Sequence, residues 1–150
     1  MSLLQQITQS LQALNYDFAA QEKPLPGLLE RYLLLIEKWN KIHNLTAIRN
    51  LQDMLYQHVL DSLAVLPHIN GPQIVDVGSG AGLPGIPIAL ARPDWQVLLV
   101  ESNQKKSSFL QQVTIDLALQ NVAVIAQRIE DIHSDKKVNT IITRAFSEMG

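Results

Sequence analysis

Cysteine is absent from the 150-residue chain. Disulfides, zinc–thiolate sites and cysteine nucleophiles are therefore excluded, and a reducing compartment, the cytoplasm, is the natural home. Also missing is any apolar run near the ~20 residues that a bilayer-spanning helix needs, so no membrane partner is expected. The opening stretch MSLLQQITQS carries no basic n-region and no small-residue cleavage site, and no signal peptide is expected. Nor is there a surplus of positive charge. The formal net charge is −2, with five Lys/Arg against six Asp/Glu before Gly71 and seven against eight from Gly71 on. A protein that grips naked nucleic acid unaided shows a basic face. If this chain acts on nucleic acid, it should use local clusters and a structured target. Internal repeats and low-complexity stretches are absent too. The remainder is of ordinary globular type, 47% hydrophobic and 17% charged, and long enough for one domain with a core.

The first seventy residues carry helical periodicity. Leu3, Leu4, Ile7, Leu11 and Leu14 make one apolar stripe, and Pro24, Pro26 and Gly27 then break the chain. Residues 28–43 give a stronger stripe through Leu28, Leu29, Tyr32, Leu33, Leu35, Ile36, Trp39 and Ile42. A third helix is expected from Asn50 as N-cap, with Asp53 suiting the positive helix end and with Leu51, Met54, Leu55, Val59, Leu63 and Leu66 as its apolar face. From residue 73 the pattern changes. QIVDV, WQVLLVE, NVAVIAQ and NTIITRAF read as short strands, and LPGIPIALAR and NQKKSSFLQQVTIDLAL as helices between them. Such alternation predicts parallel βαβ units with right-handed crossovers. The expected fold class is α/β: an open sheet (71–150) with an N-terminal helical cap (1–70), together one domain, with Pro72 at the seam.

At the end of the first strand, DVGSGAGLPG places Gly78, Gly80 and Gly82 two apart, behind Asp76. A strand running into a glycine turn and then a helix makes a cofactor site, because glycines allow a sharp turn and a close backbone approach. The second strand ends in Glu101, 19 residues after Gly82, where a carboxylate can accept from both ribose hydroxyls of an adenosine. Either NAD or S-adenosylmethionine suits that much. Two details separate them. The dinucleotide fingerprint G-x-G-x-x-G would need its third glycine at Leu83. A carboxylate at Asp76 is unfavourable beside a pyrophosphate, but beside the cationic amino acid part of S-adenosylmethionine it gains about 1–4 kcal/mol at 4 Å. The alternative for Asp76 is a plain cap on the following helix.

These segments resemble the bacterial ribosomal small subunit methyltransferase G family, also called glucose-inhibited division protein B. DVGSGAGLPGIPIAL is similar to its first motif. KWNKIHNLTAIR (38–49), HVLDSL (58–63) and ITRAF (142–146) are similar to three further segments, in the right order, so the similarity runs from about residue 28 to 150. Gln57 stands where relatives often carry a basic residue before the histidine. The resemblance implies a class I, Rossmann-like methyltransferase sheet that continues beyond residue 150, so this chain is expected to be an N-terminal portion that lacks C-terminal strands. Alone it would leave a strand edge uncovered and self-associate; the full-length protein is expected to be a monomer. The implied activity is methyl transfer from S-adenosylmethionine to N7 of one guanine in 16S ribosomal RNA, within a ribosomal particle or on naked RNA. By position, the resemblance implies donor contacts at Gly78 and Leu83, at Ile129 and Glu130 near the adenine, and at Arg144 after the fourth strand. With Asp76, Gly80, Gly82 and Glu101 these complete the expected donor site.

Guanine N7 has an exposed lone pair and no proton, so the transfer needs positioning and no general base. In agreement, no Ser-His-Asp set, H-E-x-x-H motif or carboxylate pair aimed at acid–base work is found, and His43, His68 and His133 show no metal-ligand spacing. His58, Asp61 and Ser62 share one face of an ideal helix, which either closes the donor pocket or is solvated. Asn40 and Asn44 either fix the loop after the second helix or meet the substrate. Lys105 and Lys106 open a helix where cations oppose the dipole, which hints at phosphate contact against the plainer reading of a solvated helix start. Trp39 is expected in the core rather than stacked on a base. Two competing functions remain at this level: an NAD-dependent oxidoreductase, disfavoured by Leu83 and Asp76, and a non-catalytic nucleotide-binding or assembly module.

Overall fold

A computed structural model describes residues 1–14, 24–128 and 137–143. Ser2 starts α1 (Leu3–Ala13) with a capping box: its hydroxyl accepts from the Gln5 N–H while the Gln5 side chain accepts from the Ser2 N–H. Of the stripe on this helix, Ile7 and Leu11 are buried, whereas Leu4 is exposed. The longest element, α2 (Leu25–His43), opens with Pro24 as N-cap and ends at Asn44 in the left-handed conformation. Its buried face is Leu25, Leu28, Leu29, Tyr32, Leu33, Ile36 and Asn40.

The third helix departs from expectation. Asn50 caps it as predicted, with Oδ1 accepting the Asp53 N–H at 2.8 Å. After one turn (α3, Leu51–Asp53), however, the winding widens into a π-helical stretch (Met54–Leu60) before α4 (Asp61–Ala64) and a 3₁₀ turn (Leu66–His68). Apolar spacing alone does not separate these windings. The consequence falls on three residues predicted to share a face: His58 is half-buried, Ser62 buried and Asp61 exposed.

The second half contains β1 (Gln73–Val77), α5 (Gly85–Ala91), β2 (Gln96–Val100), α6 (Gln104–Asp116), β3 (Val122–Ile125) and β4 (Thr140–Thr143). The strands are parallel, in the order β3-β2-β1-β4. Since β1→β2→β3 step in one direction, right-handed crossovers put α5 and α6 on the same sheet face. On that face Asp76, Leu99, Val124 and Ile142 lie in register. The opposite row, Val75–Leu98–Ala123–Ile141, runs from a buried centre to exposed ends. Among the described residues β4 pairs with β1 alone.

All seven residues of α5 are buried. This short apolar helix lies on β2 and is covered by α2 and α4, which explains why its sequence shows no polar face. The α2 helix also packs on α6. Arg31 donates to the Asp116 carbonyl, and Trp39 meets Phe109 edge to face with ring centroids 5.6 Å apart. These pairs run in opposite chain order, so the two helices are antiparallel. The C-terminal end of α2 therefore lies toward the N-terminal end of α6, at the sheet edge where β2 delivers Glu101. One hydrophobic cluster extends from Ile7 through Tyr32, Ile86 and Phe109 to Leu117, across the expected seam at Pro72.

Candidate cofactor site

The turn after β1 sits at the carboxyl edge of the two central strands. Gly78, Gly80 and Gly82 all have positive φ (72°, 58° and 95°), which only glycine adopts without strain. Most N–H groups of the turn have a partner. The Gly78 N–H donates to Val100 O at 2.8 Å and the Gly80 N–H to Glu101 Oε1 at 2.8 Å. The Gly82 and Leu83 N–H groups both donate to Ser79 O, and the Ser79 hydroxyl donates back to Asp76 O. The Ala81 carbonyl accepts from the buried Tyr32 hydroxyl at 2.6 Å.

The two faces of this turn differ. A Cβ built on Gly78 or Gly80 meets no atom within 4 Å, so open space lies over the first half. A Cβ on Gly82 would approach Ile86 Cγ1 to 2.5 Å and Leu110 Cδ2 to 3.0 Å, so the second half is packed into the core. A ligand can approach the backbone at Gly78 and Gly80 but not behind Gly82.

Two carboxylates flank the turn. Glu101 is nearly buried; Oε1 accepts from Gly80, and Oε2 accepts from the Asn103 N–H at 2.8 Å. Asn103 in turn caps α6 by accepting the Lys106 N–H. Each carboxylate oxygen has a second lone pair, which leaves acceptor capacity for hydroxyls. Asp76 is 0% exposed, and its Oδ2 accepts the Gly85 N–H at 2.9 Å. It thus caps the start of α5, as the plainer sequence reading allowed, and lies away from bulk water. Leu83 is buried as well.

The other expected site residues divide. Asn40 is buried, its Oδ1 accepting the Thr46 N–H at 3.0 Å, and the Asn40 carbonyl takes the Arg49 guanidinium at 3.2 Å. The same guanidinium reaches Asn44 Oδ1 at 2.8 Å. These amides therefore fix the loop after α2. His58 joins that loop, with Nε2 2.8 Å from Thr46 Oγ1. Lys105 is exposed and Lys106 half-buried at the start of α6. Trp39 is half-buried between Phe109 and His43. Ile129, Glu130, His133 and Arg144 lie outside the described residues. Among the described residues no group of three or more His, Cys, Asp or Glu side chains could hold a metal ion, and no helix is long and apolar enough to cross a membrane.

Sequence reasoning missed Tyr32 as part of the site and missed that both oxygens of Glu101 engage backbone N–H groups. Tyr32 did carry a signal: a hydroxyl on an apolar helix stripe must find a buried partner.

A parallel sheet of order 3-2-1-4, with a glycine turn after its first strand and a carboxylate closing its second, defines a Rossmann-like α/β fold of the cofactor-binding type. The family model described as GidB, rRNA small subunit methyltransferase G, matches residues 27–150. The chain belongs to the ribosomal RNA small subunit methyltransferase G family. It is 56% identical over 149 residues to the protein of that name from Nitrosomonas eutropha, covering 99% of this chain and 69% of that protein. The Nitrosospira multiformis protein is 64% identical over 121 residues, with 81% of this chain and 56% of the relative covered. The Nitrosomonas europaea protein is 52% identical over 149 residues, with 99% and 69% covered. The chain thus spans between about half and seven-tenths of these relatives' length. Among solved structures, coclaurine N-methyltransferase bound to N-methylheliamine and SAH gives a TM-score of 0.47 at 15% identity, covering 93% of this chain and 50% of that one.

Proposed function

We propose that the full-length protein transfers a methyl group from S-adenosylmethionine to N7 of one guanine in 16S ribosomal RNA, in the cytoplasm and as a monomer acting on a ribosomal particle. The observation that carries this reading is the pairing of an open glycine turn with two buried carboxylates, in a chain of the ribosomal RNA small subunit methyltransferase G family. The open space over Gly78 and Gly80 fits an adenosine, and Glu101 has acceptor capacity left for its ribose hydroxyls. Asp76, buried at the start of α5, adds a negative field that favours a cationic methyl carrier and opposes a diphosphate. Gly82 and Leu83 shape the turn from behind. Ile129 and Glu130 are assigned to the adenine end and Arg144 to the donor's carboxylate or the pocket wall.

When bound, the donor supplies an activated methyl on a sulfonium. The residues of this chain hold it in line with N7 and exclude water, and such orientation alone can supply several kcal/mol, up to about 7–11. No proton leaves N7, so no base is required. The loop held by Asn40, Asn44 and His58 lies at the ligand edge together with Lys105 and Lys106, and we assign this rim to the RNA. The net charge of −2 supports recognition of a folded target over naked charge capture. Residues 1–150 act as one domain, with residues 1–70 as its helical layer.

Calorimetry of the full-length protein against S-adenosylmethionine and NADH tests the cofactor: binding of NADH alone would refute the reading. Mass analysis of 16S rRNA from cells with and without the gene tests the substrate. Loss of one N7-methylguanine is expected, and unchanged methylation would remove the enzyme assignment.

A further inference from the structure

We infer that Tyr32 is a positioning residue for the methyl donor, acting from α2 through the backbone of the glycine turn. The inference rests on the donor-site reading above and adds a residue to it. The Tyr32 ring is fully buried beside Leu29, Leu33 and Ile36, each also 0% exposed. The packing of α2, rather than side-chain choice, therefore fixes where the hydroxyl stands. From there it donates to Ala81 O at 2.6 Å, at the short end of the range for O–H···O bonds.

Ala81 lies between Gly80 and Gly82, two residues that impose almost no conformational preference of their own. A turn built on three such glycines takes its shape from its ties. Val100 and Glu101 hold it by the N–H groups of Gly78 and Gly80. Tyr32 holds it by the next carbonyl, from the opposite side. Its oxygen is 3.2 Å from the place a Gly82 Cβ would occupy, on the packed face, whereas the space over Gly78 and Gly80 is open. Tyr32 thus does not reach the ligand side. It sets the Ala81–Gly82 peptide, whose Gly82 N–H donates to Ser79 O at 2.8 Å, and so ties the second half of the turn back to its first.

The test uses the full-length protein and S-adenosylmethionine. Tyr32→Phe keeps the ring and removes one O–H. It should weaken donor binding in calorimetry about three- to tenfold, the worth of one buried hydrogen bond. The donor KM should rise likewise, while kcat at saturating donor stays within about twofold. Ile36→Val, one turn along the same buried face, is the control for general loosening: it should lower Tm without moving donor affinity more than about twofold. Donor affinity unchanged in Tyr32→Phe, or lowered equally by Ile36→Val, overturns the inference while leaving the donor site intact. A wild-type protein that binds no S-adenosylmethionine overturns both. Should Tyr32→Phe fail to fold, wild-type protein labelled at tyrosine decides, with the Tyr32 ring signal assigned by backbone-to-ring correlation. Donor saturation must shift the Tyr32 ring resonance, and a ring signal that stays in place refutes the role.

Discussion

Glu101 and Gly80 face each other across the mouth of the sheet, carboxylate oxygen to backbone N–H, at 2.8 Å. The other oxygen of Glu101 takes the Asn103 N–H, so one side chain joins the glycine turn to the start of α6. The residue expected to receive a ribose also organises the walls that would receive it.

Glu101→Gln separates these duties poorly, and that is informative. A glutamine keeps the size but offers one carbonyl oxygen, so its amide NH2 must face either the Gly80 or the Asn103 N–H. We expect a stability loss of about 1–3 kcal/mol from the buried unsatisfied group and donor affinity lower by tenfold or more. Thermal unfolding and calorimetry read the two effects.

The glycines of the turn should respond in opposite ways to alanine. At Gly82, φ is 95° and the new Cβ meets Ile86 at 2.5 Å, so Gly82→Ala should cost about 3 kcal/mol or more in folding. At Gly78, φ is 72° but the space is open, so Gly78→Ala should cost only about 1–2 kcal/mol. Its main effect should be on donor binding, because the methyl occupies the ligand side. Urea denaturation together with donor titration of both variants checks the contrast.

Asn121 stabilises the α5–β2 connection from the entrance of β3. Its buried side-chain amide donates to Ala89 O, Arg92 O and Trp95 O at 3.0–3.3 Å. Asn121→Ala removes this donor from Ala89 O and Trp95 O, while Arg92 O keeps the Trp95 N–H at 2.9 Å, and a loss of about 2 kcal/mol is expected. Hydrogen exchange should show the change concentrated at residues 89–97.

Asp94 gives the pH-dependent prediction. Its carboxyl is held below the ordinary 3.8, chiefly by the side-chain hydrogen bond from Arg92, helped by its own backbone N–H and the Arg92 charge and opposed by slight burial. A depressed folded-state value means the contribution is fully present above pH 3.8 and is lost as pH falls through that lower value. Because the pair is largely exposed, it is worth only a few tenths of a kcal/mol. In Arg92→Met, carbon-detected NMR titration should return Asp94 toward 3.8. The variant also removes the guanidinium that stacks 4.6 Å from the Trp95 ring.

How much of this was legible in the sequence depended on whether the signal was local. β1 falls on QIVDV as expected, because a short apolar run bounded by Pro72 and a glycine has few other outcomes. Asn50 is the cap its type and spacing announced. The winding from Met54 to Leu60 was not legible: apolar residues at three- and four-residue spacing serve an α-helix and a π-helical stretch alike, and both can present an apolar face to α1 and α2, against which this stretch packs. The helix expected from Leu83 starts at Gly85, since residues 81–84 are spent closing the turn. At the site, the glycines and Glu101 were readable from spacing. For Tyr32 the need of a buried partner was readable, but not which partner, because Ala81 lies 49 positions away and only the tertiary fold brings them together. Asp76 was read for its charge, and the structure adds the bond to Gly85 that no charge argument supplies.

The antiparallel seating of α2 on α6 has a practical corollary for anyone shortening the protein. A version starting at β1 would bare the apolar surfaces of α5 and α6 that α2 now covers, and would release the Ala81 peptide at the same stroke. The smallest unit able to keep its glycine turn in shape therefore begins no later than α2, well upstream of the first strand.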